Sequence, residues 1–541
     1  MTEPQQRYYI TTPIYYVNDR PHIGHCYTTL VADVAARFMR LSGRDVFLLT
    51  GTDEHAERVV EAAAERGLTP IQWADRNAGA FEDAFRLLGF SNDDFIRTTQ
   101  KRHTEKVESY IRRLNDSGDV YLGDYQGWWD HTQEEYVPEN TAREHDFKSP
   151  ITGKPLERRQ EKNYFFRLSA YQDRLLKHIE SNPGFIRPES RRNEVLGRIR
   201  TGLQDVPVSR AVDPDDPKSG WGILMPGDES HRIYVWIDAL FNYLSAVDTD
   251  DRRKYWPAQA HVIGKDILWF HAVIWPCMLM ALGEKLPGCI YAHSFWIREG
   301  RKMSKSLGNF IDMPTLTAYI DRYGLDATRW FLATQGPMGA TDADFAHAKF
   351  IEVYNADLAN GLGNAASRVS NMIAKYFDGA CPDPTRWHGS PSRGEHAGHD
   401  WPAIATSAVE NAMTRFEALD IPGALEAAVA LARRVDGYIH ATEPFKLAKD
   451  PEKLPEVGAI LYHAAEALRI ASLLMWAAIP AKVEDLQRRF GCEFNPGAAP
   501  LRDLAAWGGL TPGAHIEKGD ALFPRADGEE APPEPARAET S

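Results

Sequence analysis

The sequence predicts an α/β protein: a doubly wound parallel-sheet (Rossmann-type) domain split by an insertion, followed by an all-α helical bundle. Three observations carry this. Strand and helix periodicities alternate from Tyr8 to Gly67. The alternation resumes near Arg232, after a stretch of poor periodicity. Beyond about Phe345 the pattern is almost wholly helical. Tyr8–Thr12 is a β-rich run, followed by a loop with Pro13, Asn18, Asp19 and Pro21. From about Gly24 to Leu41, the residues Leu30, Val31, Val34, Ala35, Phe38 and Leu41 share one helical face, and Gly43 is placed to end the helix. Asp45–Thr50 (DVFLLT) reads as a buried strand, and a helix after GTDEHA ends near Gly67. Residues 121–232 are rich in Trp, Tyr, Gly and Pro and read as an insertion of short strands and loops. Arg232–Trp236, Ala260–Gly264 and Cys289–Phe295 then restore the alternation. The parallel-sheet domain is therefore expected over 1–120 and 233–325, with a connector over 326–350. A helical domain should fill 351–525, with long helices over Ala346–Tyr376, Pro402–Glu417, Ile421–Ala441 and Leu454–Ile479. Ala526–Ser541, made of Pro, Ala and Glu with few apolar residues, reads as a disordered tail.

Composition narrows the class. With 43% hydrophobic residues, the 541-residue chain can build several cores. The net charge of −14 lacks the basic footprint of most nucleic-acid binders. That sum hides two basic stretches, Arg187, Arg191, Arg192, Arg198 and Arg200, and Arg158, Arg159 and Lys162. The five cysteines are scattered and form no CxxC pair, which fits a reducing compartment. The N-terminus lacks a signal-peptide pattern. The most apolar stretch, Ile460–Ala481, carries His463, Glu466 and Arg469 and reads as a core helix rather than a membrane span. A soluble cytoplasmic protein is expected, with no membrane partner.

Two motifs carry chemistry. His22-Ile23-Gly24-His25 stands at the junction from the first strand's loop into the first helix. A helix start offers free N–H groups and partial positive charge, so it suits phosphate. Two imidazoles there can donate to phosphate oxygens, and Gly24 lets a flat base approach the backbone. The second motif is Lys302-Met303-Ser304-Lys305-Ser306, followed by Leu307-Gly308-Asn309. Two lysines on a flexible loop can clamp a leaving pyrophosphate as its charge develops. Either motif alone has a plain alternative, a capped helix or a basic surface loop.

In this order, with a split parallel-sheet domain between them, the motifs resemble the HIGH and KMSKS signatures of class I aminoacyl-tRNA synthetases, over nearly the whole chain to about Arg525. The resemblance implies attack of an amino-acid carboxylate on the ATP α-phosphate, then acyl transfer to the terminal ribose of tRNA. It implies that His22 and His25 stabilise the transition state, that Gly24 admits adenine, and that Lys302 and Lys305 hold the pyrophosphate. His261–Asp266 (HVIGKD) is similar to the family's adenosine strand and turn, with Gly264 and Asp266 the candidates; Asp266 is equally a possible helix cap. ATP would enter as its Mg2+ complex.

PIYYVND, GTDEHA, YVWIDAL and IGKDILWFH look more specifically like the methionyl-tRNA synthetase family. That resemblance makes Asp53 the partner of the substrate α-amino group. It makes Ile14, Tyr16, Trp236, Ala239, Tyr243, Ile267 and His271 the side-chain pocket. The physics agrees, because a polarizable thioether packs well on aromatic edges. Trp236 to Tyr243 spans two helical turns, so one face can present both rings. A pocket discriminates one methylene by only about 1–3 kcal/mol, so relatives selecting Ile, Val or Leu add a large editing insertion. The stretch 121–232 is too small for one, and the cysteinyl relative's cysteine-bound zinc has no counterpart here.

One departure stands out. Many methionyl enzymes carry zinc-binding CxxC pairs in the insertion, and this chain has none there. His131 and His145 are a poor structural zinc set. A zinc-free knuckle is expected, held by Trp128, Trp129, Tyr136, Tyr164 and Phe166. In the helical domain, Asn364 and Arg368 lie four residues apart and match anticodon-reading positions. Phe445, after Glu443-Pro444, stands where the family often has Trp and can stack on a splayed base. The expected partners are methionine, ATP and tRNA(Met), with a monomer expected because no OB-type domain follows Arg525. The rivals are a leucyl, isoleucyl, valyl or cysteinyl synthetase, or an HxGH nucleotidyltransferase that does not act on tRNA.

Overall fold

The computed structural model describes residues 6–130, 135–137, 139–216, 218–303, 309–389, 399–528 and 531–532. Six strands form the central sheet: β1 (Arg7–Tyr16), β2 (Asp45–Asp53), β3 (Asp94–Arg97), β4 (Ile186–Arg187), β5 (Ala260–Gly264) and β6 (Ile290–His293). Their order is β3-β2-β1-β5-β6-β4 and every pairing is parallel. The chain runs outward from β1 through β2 to β3, crosses to the far edge as β4, then enters β5 on β1's other side. Connections leaving β1 and β5 therefore diverge to opposite faces, which opens a crevice at the carboxyl ends of these two strands.

The register of β1 on β2 slips between Thr11 and Ile14, where Pro13 has no N–H to give the ladder. Helix α1 (Ile23–Leu41) follows, with Leu30, Val31, Val34, Ala35, Phe38 and Leu41 all buried. Gly43, at φ +86°, takes the left-handed turn that ends it. One apolar cluster runs from α1 into the helical domain. A second covers the opposite face of the sheet and includes Tyr243 and Trp275.

Residues 121–232 hold antiparallel strands, with Val120–Asp130 paired with Glu157–Phe166, but also the helices Gln172–Ser181 and Glu189–Arg200, where short strands and loops were expected. Within that stretch, however, Ile186–Arg187 join the central sheet as its edge strand β4. A two-residue strand carries no periodicity, so composition could not separate it from the insertion. Trp129 and Phe166 are buried, but in the second apolar cluster, against the central sheet. Trp128 lies 4.4 Å from Phe147, above a small cluster of Val137, Ala142 and Leu156. The Tyr164 hydroxyl donates to Asp228 (3.1 Å). His131 and the side chain of Tyr136 lie outside the described residues.

The helical domain contains α2 (Asn364–Phe377), α3 (Trp401–Glu417), α4 (Ile421–Thr442) and α5 (Leu454–Met475). The apolar α5 is the bundle's central helix, buried over almost its whole length. Two of its buried charges satisfy each other: Arg469 donates to Glu466 at 2.7 and 2.8 Å, and Glu466 also accepts the N–H groups of Gly508, Gly509 and Leu510. The expected tail falls largely outside the described residues, although Ala526 still bonds Asn355 in both directions.

A buried arginine joins the two domains. Arg329 donates to Asp33 of α1 (2.6 Å), to the Leu88 carbonyl, and to the Ala477 and Ala478 carbonyls just past α5. Arg329→Ala should cost on the order of 3 kcal/mol, because three carbonyls lose this donor and the buried Asp33 keeps only Arg37 and Ser91. Calorimetry should show this as a lowered melting temperature.

Candidate active site

The HIGH residues sit at the mouth of the crevice. His22 is the N-cap of α1, with extended backbone at φ −142°, ψ 177°. Its Nδ1 accepts the Gly24 N–H (3.0 Å), and His25 Nδ1 accepts the His22 N–H (3.2 Å). This reciprocal cap uses imidazoles where Ser and Glu usually serve. It also fixes the tautomers. A nitrogen that accepts carries no proton, so each ring keeps its proton on Nε2 and presents it as a donor. The rings lie 3.8 Å apart, and His25 is buttressed by the edges of Tyr15 and Phe81. A Cβ on Gly24 would come within 2.9 Å of the His22 ring, so this cap geometry favours glycine.

The second motif begins and ends beside the first. Arg301–Lys302 pairs with Trp296–Arg298 in a hairpin. Across the neck, Asn309 Nδ2 donates to the Lys302 carbonyl (3.1 Å). Phe310 then sets its ring edge-on to His22 at 4.7 Å. The Ile23 N–H donates to Ile311 O (3.1 Å), and Asp312 bridges to His22. Lys302 is exposed, whereas Lys305 lies outside the described residues.

Across the crevice, β5 ends at Gly264. A Cβ there would meet Asp266 Oδ1 at 2.5 Å and the Phe295 ring at 3.7 Å, so the close turn favours glycine. Burial raises the Asp266 carboxyl above its ordinary range. Thr28 Oγ1 lies 2.7 Å from His293 Nε2, tying α1 to the end of β6.

The candidate methionine residues line the neighbouring wall. Asp53 ends β2, buried and paired in register with Tyr16; Ile14 pairs with Gly51. Tyr16 sets its edge against Trp236 at 5.8 Å. Tyr243 donates to His271 Nε2 (2.7 Å), and His271 Nδ1 donates to the Ile267 carbonyl (2.9 Å). Ile14, Tyr16, Trp236 and Ile267 all pack on one apolar cluster. Ala239 is buried on the same short helix as Trp236, Val235–Leu240. The helix does not run unbroken to Tyr243, which stands on a separate turn, Asn242–Ser245.

Three contributors escaped the sequence reading. Phe270 stacks on Trp236 at 3.9 Å and completes the aromatic wall. It begins a π-helical turn, Phe270–Ile274, that also carries His271. Phe310 supports His22 as described above. His55, two residues past Asp53, bonds Asp238. No local pattern signals such pairings; only the flanking motifs could have prompted a look.

Burial lowers the imidazoles of His22, His271 and His293 to about 4, and holds those of His25 and His261 well below the usual value. Below pH 6.5 the unfolded chain takes up protons that these folded imidazoles refuse. Stability should therefore fall as pH drops from about 6.5 to 4, by about 1.4 kcal/mol per pH unit for each group. Urea melts at pH 7 and pH 5 should differ by several kcal/mol. A flat profile would mean that the rings titrate freely in the folded protein.

The anticodon candidates lie in the bundle. Asn364 is exposed at the start of α2. Arg368, one turn on, pairs with Asp436 of α4. Phe445 is among the most exposed large apolar side chains, at 42%. It follows Glu443, which takes a left-handed backbone (φ +43°) at the end of α4. Among the described residues, no three His, Cys, Asp or Glu side chains cluster to hold a metal ion.

The family model for class I tRNA synthetases (M) matches residues 8–145 and 142–370. The methionine–tRNA ligase of Streptomyces coelicolor is 43% identical over 97% of this chain and 98% of its own length. That of Caldanaerobacter subterraneus subsp. tengcongensis is 42% identical, over 97% of this chain and 79% of its own. Mycobacterium tuberculosis methionyl-tRNA synthetase, solved in complex with methionyl-adenylate, superposes with a TM-score of 0.86 at 37% identity, covering 96% of this chain and all of that one. Strand order, the capped imidazole pair and these similarities agree: the chain belongs to the methionyl-tRNA synthetase family of class I tRNA synthetases.

Proposed function

We propose that the protein activates L-methionine with ATP, giving methionyl-adenylate and pyrophosphate, and transfers methionine to the 3′ end of tRNA(Met) in the cytoplasm. The observation that carries this is the pair of Nε2 donors fixed by the α1 cap at the crevice between β1 and β5, with Tyr16 of β1 meeting Trp236 and pairing in register with Asp53.

In the first step a methionine carboxylate oxygen bonds the α-phosphorus as the bond to the β-phosphate bridge breaks. Charge grows on the nonbridging α-oxygens. His22 and His25, as neutral donors, stabilise it without the cost of burying imidazolium. Gly24, Gly264 and Asp266 hold the adenosine, and Lys302 and Lys305 take the departing pyrophosphate. Mg2+ enters with ATP and shields the triphosphate. Asp53 pairs with the α-ammonium, while Ile14, Tyr16, Trp236, Ala239, Tyr243, Ile267 and His271 enclose the thioether. In the second step a terminal ribose hydroxyl attacks the methionyl carbonyl and AMP leaves.

ATP–pyrophosphate exchange across methionine, leucine, isoleucine, valine and cysteine tests this reading. Methionine alone should drive it at micromolar to low millimolar concentration. Exchange driven equally by leucine would overturn it.

Asn364, Arg368 and Phe445 are assigned to the anticodon. Stacking on a base is worth about 1–3 kcal/mol, so Phe445→Ala should raise KM for tRNA by about 10- to 100-fold. Exchange with methionine should not change. The knuckle is assigned no zinc, and elemental analysis should find well under one equivalent per chain.

A further inference from the structure

Behind the methionine pocket lies a buried polar cluster that the mechanism above does not use. Asp238 accepts from His55 Nδ1 at Oδ2 (2.6 Å) and from His103 Nε2 at Oδ1 (2.7 Å). His103 Nδ1 lies 2.7 Å from Ser245 Oγ. Asp238 is 1% exposed, His103 0% and His55 7%. Burial alone would raise the Asp238 carboxyl, but the two imidazoles reverse this and hold it at about 2.

The cluster joins four segments, and three of them carry methionine candidates. His55 is two residues past Asp53, in the stretch between β2 and the helix Glu57–Ala64. Asp238 shares the helix Val235–Leu240 with Trp236 and Ala239. Ser245 shares the turn Asn242–Ser245 with Tyr243. His103, on the helix Lys101–Asp116, anchors them from behind. The two short helical pieces are too brief to hold an orientation by themselves. The segment after Asp53 is clamped on its other side as well. Glu54, fully buried, takes Arg97 Nε at 2.6 Å, and its carbonyl accepts the Trp221 indole N–H (2.6 Å), while the Trp221 ring sets its edge to His55.

Burying an ionised carboxylate is costly, and a well-packed apolar contact at the same place would often be more stabilising. What directional bonds add is angular definition, which apolar packing supplies poorly. We propose that His55 and Asp238 are positioning residues: their bond fixes the Asp53 carboxylate relative to the Trp236 ring, and so sets methionine affinity without touching ATP. The proposal rests on the assignment of this pocket to methionine.

The test is exchange kinetics on the full chain, with each substrate varied in turn. Misplacing a binding group by about 1 Å can cost roughly 100-fold, so His55→Ala and Asp238→Asn should raise KM for methionine by about 10- to 100-fold. KM for ATP should stay within about twofold. His55→Asn, whose side-chain amide can replace the Nδ1 donor, should recover most of the methionine KM. A merely structural role would lower thermal stability and move both KM values together, or neither, and either result overturns the proposal. So does His55→Asn behaving like His55→Ala. If Asp238→Asn does not fold, the two His55 variants decide the matter. Wild-type protein that fails to exchange with methionine would instead refute the assigned function.

Discussion

Exchanging His25 for alanine should slow methionine-dependent ATP–pyrophosphate exchange by about 100- to 1,000-fold, the usual loss when one preorganised donor to a developing anion is removed. KM for methionine should stay within about twofold, because the role proposed for the imidazole is at the α-phosphate and not at the amino acid. The tautomer makes the prediction sharper. His25 Nδ1 is committed to the His22 N–H, so only Nε2 is left to donate to a ligand. Glutamine, whose amide nitrogen reaches the position of Nε2, should recover part of the rate. Asparagine, whose amide stands where Nδ1 was, should not. Pre-steady-state formation of methionyl-adenylate measures this directly. An unchanged rate in His25→Ala would remove the imidazole pair from the chemistry.

The second large effect is expected at Asp53. This carboxylate is 2% exposed and ends β2 beside Tyr16. With the substrate's ammonium in place it forms a buried charge pair, and truncating one partner of such a pair costs about 2–5 kcal/mol. Asp53→Ala should therefore raise KM for methionine by at least about 30-fold, the lower end of that range at 1.4 kcal/mol per decade. KM for ATP should change little. Methionine titration against the protein's intrinsic indole fluorescence gives an independent affinity. A variant that binds methionine normally would place the α-amino group elsewhere.

Asp53 came from the resemblance of GTDEHA to the family, because Thr50, Gly51 and Thr52 separate it from the apolar run before it. His22 and His25 were legible locally: they lie within one helical turn, so a short window contains both the helix start and its chemical groups. The long elements α1 and α5 were legible for the same reason: their apolar stripes repeat over several turns. What stayed hidden depends on distant pairing. Asp238 and His55 are 183 positions apart, and nothing near either announces the other. The stacking of Phe270 on Trp236 depends on a π-helical turn, which shifts the helical phase that periodicity assumes. The strand Ile186–Arg187 is too short to show alternation and joins the sheet only through its neighbour β6. Phe310 reads as one apolar residue after a basic loop until the Ile311 carbonyl is seen to accept the Ile23 N–H. The aromatic pocket itself came from the flanking motifs, since a stripe of rings in isolation is equally well a core.

The account turns on both imidazoles and the loop lysines meeting one triphosphate. A crystal structure with methionine and a non-hydrolysable ATP analogue tests this most directly. The account predicts His22 and His25 Nε2 within hydrogen-bond distance of α-phosphate oxygens, Lys302 or Lys305 on the terminal phosphates, and Asp53 on the methionine ammonium. A triphosphate seated with its α-phosphate away from both imidazoles would contradict it.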